Sequence, residues 1–158
     1  MKAPKVSEFM TKRPVCVSPR TPLVEVARLM QQHDCGAIPI VGEDTFPIGI
    51  VTDRDIVVRA VARGKDPATL LAGDVMTAPA TTITENATLD DCAEALELGQ
   101  IRRIIIVDRS GRTTGIVSQA DVAAHLKKKA AGERLRAISK PSPMERSAPE
   151  AAADPVAD

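Results

Sequence analysis

A short motif written twice, 66 residues apart, constrains this chain more than any other feature. Gly49-Ile50-Val51-Thr52-Asp53-Arg54-Asp55-Ile56 is answered by Gly115-Ile116-Val117-Ser118-Gln119-Ala120-Asp121-Val122. In each copy a glycine and two β-branched aliphatics read as a buried strand. The hydroxyl residue that follows can cap a helix, and in the first copy Ile56, Val57, Ala60 and Val61 continue that helix at its own spacing. A strand that runs straight into a helix N-terminus leaves backbone N–H groups without intrahelical partners, an arrangement that suits phosphate.

The same register holds well outside the motif. Leu23 matches Leu89, Val26 matches Cys92, Ala27 matches Ala93 and Met30 matches Leu96. Ile38 and Ile104, Ile40 and Ile106, and Val41 and Val107 keep the same spacing, as do the pairs Met10-Thr11 and Met76-Thr77. Matching at apolar positions over so long a stretch marks an internal duplication. Each unit reads as strand–helix–strand–strand–helix, which predicts a mixed α/β (α+β) fold. The first strand falls at residues 14–17, and Thr21 caps a helix with Pro22 at its first position. Pro39 lies in the next strand, where its missing N–H must face away from the ladder partner. One unit alone buries little surface, so the two should pack as a single module. The predicted divisions are 1–69 for the first repeat with its leading segment and connector, and 70–132 for the second. Residues 133–158, with Pro141, Pro143, Pro149 and Pro155 among Ala and Ser, read as a disordered tail.

Composition narrows the function. Lys and Arg number 21, as do Asp and Glu, so no net field draws the chain to nucleic acid or to an anionic membrane. Phe9 and Phe46 are the only aromatic residues, which leaves no platforms for stacking single-stranded bases. Cys16, Cys35 and Cys92 form no CxxC pair, and Cys92 occupies an apolar helix position. With no apolar run long enough for a membrane span and no apolar leader, a reducing cytoplasm is the expected location.

Met10-Thr11 and Met76-Thr77, the two Leu-led helices, Cys35-Gly36-Ala37-Ile38-Pro39-Ile40 with its counterpart at residues 101–106, and the two Gly-x-x-Ser/Thr-x-x-Asp junctions together resemble the CBS domain. The pair resembles a Bateman module, over about residues 6–128. Thr-Asp-Arg-Asp-Ile and the connector after it are similar to small stand-alone bacterial CBS pairs of the hypoxic-response type. The resemblance implies a sensor of adenosine nucleotides (AMP, ADP or ATP, or else S-adenosylmethionine) that needs no metal. It implies two clefts, each built from one junction and the first strand of the other repeat. Asp55 and Asp121 would accept hydrogen bonds from ribose, a pairing that fits two carboxylate oxygens to a vicinal diol. Thr52 and Ser118 would donate to phosphate, as would Arg54, Arg102 and Arg103 through their planar forks. Val15, Val17, Ile38, Val51, Ile83 and Val117 are the candidate walls for adenine. Arg54 has only Ala120 as its counterpart, so the two clefts should be unequal. The resemblance also implies a homodimer formed through helices and an unidentified protein partner that reads the ligand state.

Each residue also has a plainer role. Asp55 and Asp121 can serve as first-turn carboxylates that complement a helix dipole, and residues 127–129, three lysines, can be a solvated helix end. His33 and Cys35 could join Cys16 or His125 in a zinc site shared between subunits, although the spacing is no zinc-finger pattern. The competing function is therefore a structural or redox/zinc-responsive dimeric interaction protein without nucleotide binding. No nucleophile has a base and an orienting group at motif spacing, so the sequence does not motivate an enzyme.

Overall fold

The computed structural model describes residues 2–126 and 135–139. In chain order its main elements are α1 (Val6–Phe9), β1 (Thr11–Lys12), α2 (Leu23–His33), β2 (Ala37–Val41), β3 (Pro47–Thr52) and α3 (Asp53–Arg59). The second repeat follows with α4 (Ala72–Val75), β4 (Thr82–Thr84), α5 (Leu89–Gly99), β5 (Arg103–Val107), β6 (Thr113–Ser118) and α6 (Gln119–His125). The predicted α/β class and the duplication are both present.

Both helical stripes are buried apart from Ala27, which is exposed: Leu23, Val26 and Met30 on α2, and Leu89, Cys92, Ala93 and Leu96 on α5. Each of these helices ends on a left-handed residue, Asp34 (φ 48°) and Gln100 (φ 50°), which turns the chain sharply into the next strand. The helix α2 starts at Leu23, one position later than predicted. Pro22 is its cap residue, and Thr21 Oγ1 lies 3.4 Å from Ser18 Oγ instead. β5 is buried at Ile104, Ile105, Ile106 and Val107, as expected of a strand covered on both faces.

The two halves repeat one sheet plan. β1, β6, β5 and β4 lie side by side in that order, with β4 parallel to β5 and the other pairs antiparallel. In the first half β2 and β3 form the central antiparallel pair. The positions of the two outer strands are held by single bridges, Val17 to Ile40 and Thr77 to Ile50. The strand predicted at residues 14–17 thus contracts to one bridging residue. Ile50 exchanges hydrogen bonds with Thr77 (3.0 and 2.9 Å), so its pairing with Pro39 needs no N–H. The missing donor of Pro39 falls on the Val17 side, where its carbonyl accepts from Val17 (3.2 Å).

The leading segment of each repeat packs on the other repeat. Val6 is fully buried among Leu89, Leu96 and Ile104, and its N–H bonds the Ala87 carbonyl (2.8 Å). Ala72 and Val75 are buried among Leu23, Val26 and Ile38, in the core of the first repeat. The motif glycines make this exchange sterically feasible. A Cβ on Gly49 would lie 2.6 Å from the Thr77 carbonyl oxygen, and one on Gly115 would collide with the Met10 side chain.

The expected disorder of the tail does not extend to residues 135–139. Residues 135–138 form a helical turn, and Ile138, 2% exposed, joins the second core. The remainder of 133–158 lies outside the described residues.

Candidate functional site

The two motifs fold alike, and each closes a capping box on its own helix. Thr52 Oγ1 accepts from the Asp55 N–H (3.1 Å), and Asp55 Oδ2 accepts from the Thr52 N–H (2.8 Å). Ser118 and Asp121 repeat this at 3.2 and 2.7 Å, and the Ser118 hydroxyl also donates to Asp121 Oδ2 (2.8 Å). The box satisfies donors that a helix start otherwise leaves open. It does not by itself mark a site, because Thr88 and Asp91 form the same box on the exposed start of α5.

Position distinguishes Asp55 and Asp121 from Asp91, since each lines a cleft that the other repeat completes. The first cleft, about 370 Å³, takes Ile50, Thr52, Asp53, Arg54 and Asp55 from the first repeat and Thr77, Gln100, Ile101, Arg102 and Arg103 from the second. The second cleft, about 480 Å³, takes Ile116, Ser118 and Asp121 from the second repeat and residues 11–15 and 33–37 from the first. Both volumes are in the range of small-molecule sites. Arg103 lines both clefts.

Of the residues singled out in the sequence, Thr52, Arg54, Asp55, Arg102 and Arg103 meet in the first cleft, and Val15, Arg103, Ser118 and Asp121 in the second. The adenine walls need correction. Val17, Ile38, Val51 and Val117 belong to the two cores and line neither cleft; Ile83 packs against the second core and lines neither. Strand periodicity gives the reason. Side chains alternate across a strand, so Ile50 shares the cleft face with Thr52, and Ile116 with Ser118, while Val51 and Val117 face inward. The same two-residue offset in the sequence could have identified Ile50 and Ile116.

The phosphate site expected at the first helix start also changes. All four N–H groups from Thr52 to Asp55 have acceptors within the chain: Asp55 Oδ2, the Gly36 carbonyl, Asp53 Oδ1 and Thr52 Oγ1, at 2.8, 3.0, 2.8 and 3.1 Å. Arg54, Arg102 and Arg103 line the first cleft together with Asp53 and Asp55, and Asp55 Oδ1 lies 3.8 Å from Arg59 Nε. The expected inequality rested on Arg54 having Ala120 as its counterpart; Lys12 and Arg13 line the second cleft. Both were visible in the sequence as a basic pair beside Pro14.

The cysteines divide by environment. Cys92 is fully buried, and burial first, with the nearby Asp121 carboxylate second, pushes its thiol up to about 12. Burial also raises the Cys16 thiol, whose Sγ lies 3.3 Å from the Pro14 carbonyl. Cys35 and His33 line the second cleft, whereas His125 stacks on Phe9 with ring centres 4.9 Å apart. Among the described residues no three His, Cys, Asp or Glu side chains gather closely enough to hold a metal ion. No helix among them is long and apolar enough to cross a membrane.

Comparison with known proteins agrees with this architecture. The CBS domain model matches residues 6–61 and 72–128. Hypoxic response protein 1 of Mycobacterium tuberculosis is 35% identical over 134 residues, which is 85% of this chain and 93% of that protein. The crystal structure of Hypoxic Response Protein I with two coordinated zinc ions superimposes with a TM-score of 0.70 over 78% of this chain and all of that one. The CBS domain pair of MJ0100, in complex with 5′-methylthioadenosine and S-adenosyl-L-methionine, is 26% identical, with a TM-score of 0.70 over 78% of this chain and 95% of that one. The zinc ions of the first structure stand in tension with the expectation of no metal.

Proposed function

The chain belongs to the CBS domain family, with two CBS domains in tandem, and on that footing we propose that it is a non-catalytic, ligand-sensing regulatory module. Its ligand is an adenosine nucleotide of the AMP, ADP or ATP class, or S-adenosylmethionine, held in the clefts between the repeats. One observation carries this reading. Asp55 and Asp121 are each anchored to their own helix through Oδ2, yet line a cleft whose far wall comes from the other repeat. A carboxylate fixed in this way can turn Oδ1 toward a ribose diol, in Asp55 alongside the Arg59 guanidinium 3.8 Å away. Isoleucines and backbone take the base, and the arginines take phosphate. The two adenosine compounds bound by the MJ0100 pair support the adenosine class.

Because each ligand touches both repeats, its binding energy differs with their relative packing, which is what a sensor requires. The module acts as a homodimer in the cytoplasm, and a protein partner reads its state. The test is thermal stability against AMP, ADP, ATP and S-adenosylmethionine, together with the ultraviolet spectrum of the purified protein. A ligand at a hundredfold excess over Kd stabilises by about 2.7 kcal/mol, and Asp55→Ala should abolish the part due to the first cleft. No shift with any of the four, and no adenine absorbance, rejects the reading.

A zinc-responsive dimer is the second reading, favoured by the zinc in Hypoxic Response Protein I and by His33 and Cys35 in one cleft. The described donors of one chain do not complete a site, so this reading requires ligands from two protomers. Zinc that changes the dimer equilibrium, reversed by chelator and absent in Cys35→Ser, would support it.

A further inference from the structure

The first cleft has a feature that the duplication does not account for. Its apolar lining includes Ile50, Ile101 and Ile138, and the third of these lies beyond both repeats. Ile138 is seated firmly, 2% exposed in the cluster that holds Leu96, Ile104 and Val117. Gln100, the left-handed residue that ends α5 and itself a cleft residue, donates from Nε2 to the Ala137 carbonyl (3.2 Å). The Ser139 N–H closes the turn on the Leu135 carbonyl (2.9 Å). In the first repeat the residue matching Gln100 is Asp34, whose carboxylate has no N–H to donate. Among the described residues, none beyond Asp121 lines the second cleft. Among the described residues, the turn at 135–139 therefore reaches one cleft and not its twin.

We propose that residues 135–139 are part of the ligand site in the first cleft. A nucleotide held by Asp55 rests its apolar face on Ile138, so that ligand binding and seating of the segment stabilise one another. This rests on the nucleotide reading above. With the segment in place the cleft still measures about 370 Å³, so Ile138 forms a wall and does not fill the site. Linkage makes the coupling reciprocal, since whatever affinity the ligand gains from the segment, the segment gains from the ligand. The first cleft thereby has an output, the seating of residues 135–139, that no described residue gives the second.

The experiment is amide hydrogen exchange on the full chain with saturating AMP, ATP or S-adenosylmethionine, paired with calorimetric titration of the same compounds. Binding should slow exchange at residues 135–139 several-fold in the native chain but not in Asp55→Ala. Ile138→Ala should weaken one class of site about tenfold, equivalent to about 1.4 kcal/mol. Gln100→Ala, which leaves the core side chains in place, should act in the same direction. Nucleotide binding with unchanged exchange at 135–139 and unchanged affinity in both variants overturns the proposal and leaves the nucleotide reading standing. Absence of binding by all three compounds and by ADP overturns that reading, and the proposal with it.

Discussion

On the proposed reading Asp55 has two tasks, a helix cap that the structure shows and a ligand contact, and substitutions should test both. Oδ2 holds the Thr52 N–H at 2.8 Å and so helps cap α3. Losing a cap interaction costs about 1 kcal/mol, so Asp55→Ala should lower stability by about that amount without ligand and also erase the first cleft's share of the ligand-induced gain. Thr52→Ala removes the other half of the box and should cost a similar amount, measured by urea unfolding. Cys92 offers a second test at this scale. Its thiol is held up to about 12 by burial and by Asp121, and it should resist alkylation at pH 8 until the chain unfolds. A folded-state thiol pKa above the unfolded one contributes stability that is lost as pH rises from the ordinary thiol range toward 12. Cys92→Ala should therefore flatten the alkaline fall in stability. At this scale the sequence was partly legible. The paired aspartates and hydroxyls stood out because they recur, whereas Val51 and Val117 were misplaced because recurrence does not say which face of a strand a residue takes. Ile50 and Thr52 share a face by the two-residue period alone.

Between elements, the decisive contacts are those of each leading segment against the opposite sheet. Gly49 lies under Thr77 with no room for a methyl group, its nearest backbone atom being 2.6 Å from an added Cβ. Gly49→Ala should cost about 1–3 kcal/mol, read as a lower urea midpoint, and should loosen the exchange protection of Thr77. The exposed box at the start of α5 gives a pH test. Backbone and side-chain hydrogen bonds from Thr88 hold Asp91 below the usual carboxylate range. A carboxylate with a lowered folded pKa stabilises above its unfolded value, and that stability is lost as pH falls through the lowered one. Asp91→Asn should remove this part of the acid dependence below about pH 4. The exchange was not legible in the chain, because a repeat with constant register specifies what a segment packs against in kind but not in which copy.

For the molecule as a whole, the proposed dimer makes a definite demand. Val57 and Val61 are each 57% exposed on and just after α3, with Val58 beside them, a patch that water does not favour. If the dimer forms there, Val58→Asp should shift it to monomer in sedimentation or light scattering and leave folding intact. The two-layer repeat was readable from its apolar register, while the helical turn at residues 135–138 was hidden by the proline-rich composition around it. The crossing of the leading segments reaches furthest. Since each core borrows the leading segment of the other repeat, neither half should be a self-sufficient folding unit. A chain severed between Gly64 and Lys65, at an open left-handed turn (φ 66°), should yield two fragments that stay unfolded apart. Mixed together, they should find each other and rebuild the native spectrum.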